Sequence, residues 1–339
     1  MTHPISTILA LTLTGTVATA AIAEGELNLY SSRHYDTDER LYSDFTDATG
    51  ITINRIEGKA DELLARMQAE GANSPADVLL TVDTSRLARA KDLGLLQSID
   101  SAILEERIPG HLQDVNNQWF GLSQRSRIIF YDKATISNPP QTYASLADPR
   151  YSGQICIRSS SNAYNQTLLA AMVTHDGEDA ARDWAAGIVA NMARDPQGGD
   201  TDQLRGIVSG ECAISVSNTY YFARALRTDV KGVSDSIDQI GWVFPDQDGN
   251  GAHMNLSGGG VAVYAPNYDN AVKFLEYLAS DQAQKYFSAG NDEYPAVPGV
   301  ELSPPVAKLG DFKADDVDLS AVANNIATAQ KIFNEVGWK

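Results

Sequence analysis

Strand-like and helix-like segments alternate along most of the chain, and this order restricts the fold more than any other feature of the sequence. Residues 27–30, 51–56 and 77–81 have the short apolar pattern of strands, whereas residues 38–49 and 60–71 have apolar side chains at helical spacing. Parallel strands need a long crossover, and a helix usually provides it. The order therefore predicts an α/β fold in which helices cover a parallel sheet.

The alternation continues in the second half of the sequence. Strand-like and helix-like segments run from residue 155 to residue 243, and the last helical pattern covers residues 319–336. Between them Gly258, Gly259 and Gly260 lead a strand-like segment, and we interpret the three glycines as a tight turn into the hinge or the sheet. The length of 339 residues suggests two domains, yet no linker-like stretch separates them. Domains without a linker usually share crossover strands, which form a hinge with a cleft beside it.

Composition and motifs exclude several classes of function. Lys and Arg number 26 against 44 Asp and Glu, and the formal charge of −18 argues against a nucleic-acid partner or an anionic membrane. Two cysteines are too few for a Cys-rich zinc module or a Cys-ligated iron–sulfur cluster. His111, His175 and His253 lack partners at metal-binding spacing, and we interpret them as structural. Motifs of hydrolases and of iron oxygenases are missing, so we expect no enzymatic activity.

The first 23 residues are typical of a cleaved signal peptide. They contain no Lys, Arg, Asp or Glu, include an apolar stretch, and end in the small-x-small pattern Ala21, Ile22, Ala23. No cysteine for a lipid anchor lies near this site, so we expect a protein that is free outside the cytoplasm. In that oxidising space Cys156 and Cys212 either form a disulfide or remain two buried thiols, and we favour the disulfide.

Three segments that contain tyrosine stand in order along the chain. They are Tyr-Ser-Ser-Arg-His-Tyr at 30–35, Arg-Ser-Ser-Ser-Asn-Ala-Tyr-Asn-Gln at 158–166 and Ser-Asn-Thr-Tyr-Tyr at 217–221, with Ser-Pro-Ala-Asp-Val at 74–78 as a further segment. Together they resemble the ferric-iron-binding periplasmic proteins of bacterial ABC importers, and in particular the subgroup rich in tyrosine. The likeness covers nearly all of the chain from Gly25 onward.

This resemblance implies a bilobal periplasmic-binding-protein fold, or flytrap, in which hinge strands join two α/β lobes with mixed sheets and the metal binds in the cleft. The N-terminal lobe would comprise residues 25–123 and 241–292, and the C-terminal lobe residues 124–240 and 293–339. The family's activity implies a monomer in the periplasm that binds ferric iron and delivers it to the membrane subunits of an ABC permease. The alternative is a carrier of the same fold for another small cationic solute, such as a polyamine or thiamine.

The resemblance also implies the ligands of the ion: Tyr164, Tyr220 and Tyr221 from one lobe, Tyr35 from the other, and His34 either as a fifth ligand or outside the site. Fe(III) is a hard cation, and an ionised phenol is a hard, anionic oxygen donor. The usual pKa of a phenol is about 10, so metal binding must expel protons from these side chains.

Position and charge add two expectations about this site. Neighbouring residues on a strand point to opposite faces, so Tyr220 and Tyr221 reach one ion only from a turn or from a helix start, which Asn218 or a neighbour can cap. Four phenolates on Fe(III) leave a charge of 3 − 4 = −1, and we expect Arg33 and Arg125 to offset it from an outer shell. A small anion or a water molecule would fill any open coordination position.

Overall fold

The computed structural model describes residues 25–33 and 35–339 of the chain. The predicted signal peptide over residues 1–23 and the uncertain ligand His34 lie outside the described residues. Within the described part, no helix has the length and apolar character that crossing a membrane requires.

Strands and helices alternate through the described residues much as the sequence pattern predicts. The strands are β1 (Glu26–Ser31), β2 (Thr52–Glu57), β3 (Val78–Thr81), β4 (Leu96–Gln97), β5 (Phe120–Asp132), β6 (Ile155–Cys156), β7 (Ile214–Asn218), β8 (Ile240–Val243), β9 (Met254–Ala262) and β10 (Tyr294–Pro295). The helices are α1 (Asp38–Thr49), α2 (Ala60–Glu70), α3 (Thr84–Asp92), α4 (Ala102–Arg107), α5 (Ala163–Asp176), α6 (Glu178–Asn191), α7 (Asp200–Ser209), α8 (Thr219–Arg227), α9 (Tyr268–Leu278), α10 (Asp281–Asn291), α11 (Pro304–Ala307), α12 (Leu319–Asn324) and α13 (Ile326–Val336).

One sheet of ten strands runs through the described part of the molecule in the order β2-β1-β3-β9-β5-β7-β6, and β4, β8 and β10 pair with β9 or β5. β1 is parallel to both β2 and β3, whereas β9 is antiparallel to β3 and to β5. The sheet is therefore mixed, and the predicted α/β class is confirmed. β5, with 13 residues, pairs with β9 and β10 along its first part and with β7 and β8 along its last part, so it connects the two halves of the molecule.

Hydrophobic side chains form separate cores in the two halves. The first core packs β1, β3 and β9 against α1, α2, α9 and α10, with the rings of Phe45 and Phe274 5.0 Å apart between centroids. The second half has two clusters, because alternate residues of β5 and β7 point to opposite faces of the sheet. The boundaries of the two lobes stay a prediction. Trp242 packs on Phe222 of the second half, at 5.2 Å between ring centroids. This contact favours a boundary after residue 241 for the point at which the chain returns to the first half.

The prediction of a tight turn at Gly258, Gly259 and Gly260 is wrong, because these residues lie inside β9. Both neighbouring strands approach them closely. A Cβ atom on Gly259 would lie 2.5 Å from Leu80 Cδ2 in β3, and one on Gly258 would lie 2.5 Å from the carbonyl oxygen of Phe120 in β5. Glycine therefore serves here to let the neighbouring backbone and side chains pack against a central strand.

A disulfide joins Cys156 in β6 to Cys212, which precedes β7, and their Cα atoms are 5.8 Å apart. Since β6 and β7 are parallel neighbours, the bond reinforces one edge of the sheet. Helix α7 packs against it at Gly206, where a Cβ atom would lie 2.8 Å from the sulfur of Cys212. The disulfide thus forms part of the contact between α7 and the sheet.

Removing the disulfide is expected to destabilise the protein. The two cysteines are 56 residues apart, and cross-linking a loop of this length stabilises the fold by about 4 kcal/mol in the chain-entropy model. We expect the Cys156→Ala, Cys212→Ala double variant to lose free energy of unfolding of this size, measured by denaturant titration. Reduced wild-type protein, which lacks the disulfide but keeps both cysteines, is the control for the changed side chains. Equal denaturation midpoints for the oxidised wild type and the double variant would contradict the expectation.

Candidate metal centre

Tyr35 lies in the loop between β1 and α1. β1 ends at Ser31, and α1 begins at Asp38, whose backbone N–H donates to the carbonyl oxygen of Tyr35 at 2.9 Å. The guanidinium carbon of Arg33 is 5.0 Å from the centroid of the Tyr35 ring. The loop after β1 therefore holds the phenol of Tyr35 beside the guanidinium group of Arg33, a cation of the first half of the molecule.

The other three tyrosines lie in the first turns of two helices. Tyr164 is the second residue of α5, and Tyr220 and Tyr221 are the second and third residues of α8. Asn162 and Asn218 occupy the N-cap positions of the two helices. The adjacent pair thus stands at a helix start, as the sequence predicted, and the positive ends of both helix dipoles favour negative charge near the phenols.

The structure brings the four tyrosines together around one cavity of about 410 Å³. The hydroxyl oxygens of Tyr164 and Tyr220 are 3.3 Å apart, and the rings of Tyr220 and Tyr221 stack with centroids 4.2 Å apart. Tyr35 meets Tyr220 edge to face, with 6.5 Å between centroids. Among the described residues, no three His, Cys, Asp or Glu side chains form a group that could hold a metal ion. The phenols are therefore the candidate ligands, and their role in binding stays a proposal.

Burial raises the pKa of Tyr35, Tyr220 and Tyr221 above the usual value of a phenol. For Tyr35 the next cause is the negative charge of Glu293, and for Tyr221 it is that of Asp200. These phenols are therefore neutral at pH 7 in the protein alone. A trivalent cation among them reverses the preference, because the ionised form then gains a close opposite charge.

Both arginines predicted for the outer shell lie beside the tyrosines, but each already has a carboxylate partner. Arg33 donates from Nε and Nη2 to Asp38 at 2.8 and 3.0 Å, and its Nη1 is 3.5 Å from Glu293. Arg125 donates from Nε and Nη2 to Glu293 at 3.2 and 2.8 Å. All four side chains are buried. A carboxylate thus already balances each of these charges, and the role of Arg33 and Arg125 beside four phenolates stays a prediction.

Two further arginines lie at the site and were not predicted from the sequence. The guanidinium carbon of Arg158 is 5.6 Å from the ring centroid of Tyr164, and that of Arg224 is 5.6 Å from the ring centroid of Tyr220. Their ion pairs with carboxylates are long, at 4.0 and 3.9 Å. The spacing of Arg224, four residues after Tyr220 on one helix, is a signal that places both on the same face. Both arginines can offset phenolate charge.

Comparison with known proteins gives matches over most of the chain. The family described as bacterial extracellular solute-binding protein matches residues 40–314. Iron uptake protein A1 of Synechocystis sp. is 49% identical over 315 residues, which are 93% of this chain and 88% of that protein. The major ferric iron-binding protein of Neisseria meningitidis serogroup B is 29% identical over 330 residues, 96% of each protein.

Solved structures are similar to this chain over nearly its whole length. Trichodesmium IdiA (FutA), in complex with iron and citrate ligands, has a TM-score of 0.88 and 47% identity and covers 93% of this chain and 100% of its own. The ferric binding protein from Campylobacter jejuni has a TM-score of 0.87 and 41% identity and covers 92% of this chain and 100% of its own. Because both matches cover at least 92% of this chain, the likeness includes both halves of the molecule.

Proposed function

We propose, since this chain belongs to the family of bacterial extracellular solute-binding proteins, that it binds Fe(III) in the tyrosine-lined cavity and delivers the ion to an ABC permease. One observation carries the proposal: four phenols, from the loop before α1 and from the first turns of α5 and α8, converge on one cavity. Phenolates are hard, anionic oxygen donors that suit Fe(III). The Synechocystis relative is an iron uptake protein, which supports iron as the cargo.

In this proposal Tyr35, Tyr164, Tyr220 and Tyr221 are the metal ligands. Tyr35 follows β1, which packs in the core of the first half, and the other three lie on α5 and α8, which pack in the second half, so a bound ion holds the two halves together. A small anion or a water molecule completes the coordination. The Trichodesmium relative, solved with both iron and citrate, supports an anion in that role.

The lining of the cavity favours ferric iron over an organic cation such as a polyamine or thiamine. Among the described lining residues, Asp36 is the one carboxylate, whereas Arg224 and Arg227 are both cations. Arg227 pairs with Asp292 at 2.8 Å, whereas the ion pair of Arg224 with Asp292 is long, at 3.9 Å, so an organic cation would meet the positive charge of Arg224. Arg224 stabilises a cluster of tyrosinates, whose net charge with Fe(III) is negative.

The proposal places the protein in the periplasm, where it works as a monomer and breaks no covalent bond of its cargo. The predicted signal peptide would export it, and its family consists of extracellular solute-binding proteins. Its partners are ferric iron and the membrane subunits of an ABC permease. Nucleic acid is no partner, because the formal charge of −18 would repel it.

Adding ferric citrate to the protein is expected to give a coloured complex, because charge transfer from phenolate to Fe(III) absorbs visible light. Tyr164→Phe removes one donor and is expected to weaken both the absorption band and the affinity. Tyr264→Phe is the control, since this side chain is 53% exposed and does not line the cavity. An iron-saturated protein without a visible band would overturn the proposal.

A further inference from the structure

Arg127 is a buried arginine that has no direct part in the proposed iron site. It lies in β5, the long strand that connects the two halves of the molecule, and it is 1% exposed. All three nitrogens of its guanidinium group donate hydrogen bonds. The acceptors lie at the starts of α5, α7 and α8 and on β7, so one planar group joins four elements.

Two of these acceptors stand beside the proposed tyrosine ligands. Nε and Nη2 of Arg127 donate to Asn165 Oδ1 at 3.2 and 2.7 Å, and Asn165 follows Tyr164 in the first turn of α5. Nη1 donates to Oδ1 of Asn218 at 3.1 Å, and Asn218 is the N-cap residue of the helix that carries Tyr220. The starts of both tyrosine helices are therefore bound to one guanidinium group.

The remaining contacts hold the guanidinium group itself. Its Nη1 lies 3.3 and 3.2 Å from the two carboxylate oxygens of Asp200, the first residue of α7, and its Nη2 donates to the carbonyl oxygen of Val216 at 3.2 Å. Asp200 in turn accepts from the backbone N–H of Asn218 at 3.3 Å. We call Arg127 with its acceptors Asn165, Asp200, Val216 and Asn218 the Arg127 network. A guanidinium group is planar and rigid, so these contacts fix the two helix starts relative to each other.

The Arg127 network takes up the side chain of Asn218, which normally has another role. Asparagine at an N-cap position usually accepts a hydrogen bond from a backbone N–H of the first turn. Asn218 accepts no such bond, and its Oδ1 accepts from Arg127 instead. The start of α8 therefore lacks its side-chain cap but is attached to the same group that holds α5.

Stability alone does not account for a buried ion pair at this place. Both Arg127 and Asp200 are buried, and taking two charges out of water costs free energy that their attraction often does not recover. Hydrophobic side chains of similar volume are in many proteins as stabilising as such a pair. A fixed geometry is what the pair adds, and the hydroxyl oxygens of Tyr164 and Tyr220 lie 3.3 Å apart between the two helix starts.

An ion site discriminates by size when its ligands are held rigidly, because a flexible site adapts to a larger ion. We propose that Arg127 is a positioning residue of the iron site: it fixes the starts of α5 and α8 so that their three tyrosines fit an ion of the radius of Fe(III) better than a larger trivalent ion. This role rests on the proposed function, because it requires these phenols to be ligands.

Gallium(III) and lanthanum(III) test this role, because the first has nearly the radius of Fe(III) and the second is larger. Each ion is titrated into the protein as a chelate of known stability, and the ultraviolet difference absorption of ionised tyrosine reports binding. Arg127→Lys keeps the charge beside Asp200 but replaces the planar fork with a single ammonium group. We expect this variant to bind Ga(III) at least about tenfold more weakly, with a much smaller loss for La(III), so the ratio of the two affinities falls.

The ratio of the two affinities separates positioning from lost stability. A variant that is only less stable loses affinity for both ions by the same factor. Leu104→Ala, in the core of the first half, is the control of this kind and is expected to keep the wild-type ratio. Asn165→Ala breaks the Arg127 network at α5, keeps the pair of Arg127 with Asp200, and is expected to lower the ratio in the same direction.

An unchanged ratio in Arg127→Lys would overturn the positioning role and leave the proposed function intact. An equal fall of the ratio in Leu104→Ala would do the same. If Arg127→Lys does not fold, an unchanged ratio in Asn165→Ala overturns the role, and a lowered ratio supports it. A wild-type protein that gives no tyrosinate signal with Ga(III) overturns the proposed function and the positioning role together.

Discussion

Replacing Tyr220 with phenylalanine is expected to lower the affinity for Fe(III) by more than about 100-fold. Mutating a residue that only hydrogen-bonds a metal ligand costs about 10- to 100-fold in affinity, and this variant loses a ligand itself. Tyr220 is 2% exposed, and its hydroxyl oxygen is 3.3 Å from that of Tyr164. Phenylalanine keeps the ring and its packing, so the free energy of unfolding should stay within about 1 kcal/mol of wild type. Competition with citrate measures the affinity, and denaturant titration measures the stability.

Tyr30→Phe is the matched control for this experiment. Tyr30 is also buried, and its hydroxyl donates to Glu70 at 2.9 Å, but it does not line the cavity. This variant is expected to lose about 1 kcal/mol of stability and to bind iron as wild type does. Unchanged iron affinity in Tyr220→Phe, or the same loss of affinity in both variants, would contradict the four-tyrosine site.

The positions of the tyrosines are predictable because they depend on local signals. Adjacent side chains on a strand diverge, and a chain segment with Asn218 before Tyr220 and Tyr221 can begin a helix. The structure starts α8 at Thr219, so both rings leave the same turn. The parallel pairing of β1 with β2 and β3 is predictable for the same reason, since it follows from short strand–helix–strand units.

The carboxylate partners of the arginines are not predictable from local signals. Arg125 and Glu293 are 168 residues apart, and they meet because β10 pairs with β5 in the register that places Tyr294 opposite Gln124. No pattern in the sequence marks this pairing. The prediction that Arg33 and Arg125 offset the charge of the phenolates from an outer shell therefore did not include the buried carboxylates beside these arginines. It also did not include Arg158 and Arg224, which lie beside the tyrosines.

The glycines of β9 show a second kind of ambiguity. Glycine occurs both in tight turns and where backbones pack closely, and the sequence alone does not separate the two uses. The close packing arises because β9 returns to the first half of the sheet and lies between β3 and β5. Such a return depends on contacts between distant segments, which a local pattern does not show. The sequence therefore predicted the strand but not the role of its glycines.

Lowering the pH is expected to weaken Fe(III) binding steeply. In the protein without iron, burial keeps the pKa of Tyr35, Tyr220 and Tyr221 above the usual value of about 10, so these phenols carry their protons at pH 7. As ligands they are ionised, so each one releases a proton when iron binds. Because binding releases protons, the complex is favoured at higher pH. For each pH unit of acidification, the affinity falls by up to about tenfold for every proton released, which is about 10⁴-fold for four phenols.

Counting the released protons tests the ligand set independently of affinity. A pH-stat titration with a ferric chelate of known protonation should give about four protons for wild type and about three for Tyr35→Phe, because that variant has one phenol fewer to ionise. Fewer than about one proton in wild type would contradict tyrosinate ligation.

Reduction should act in the same direction as acid, since Fe(II) carries one positive charge less and offsets less of the cost of holding buried phenolates ionised. Mild acid and a reductant together are therefore expected to release iron faster than either alone.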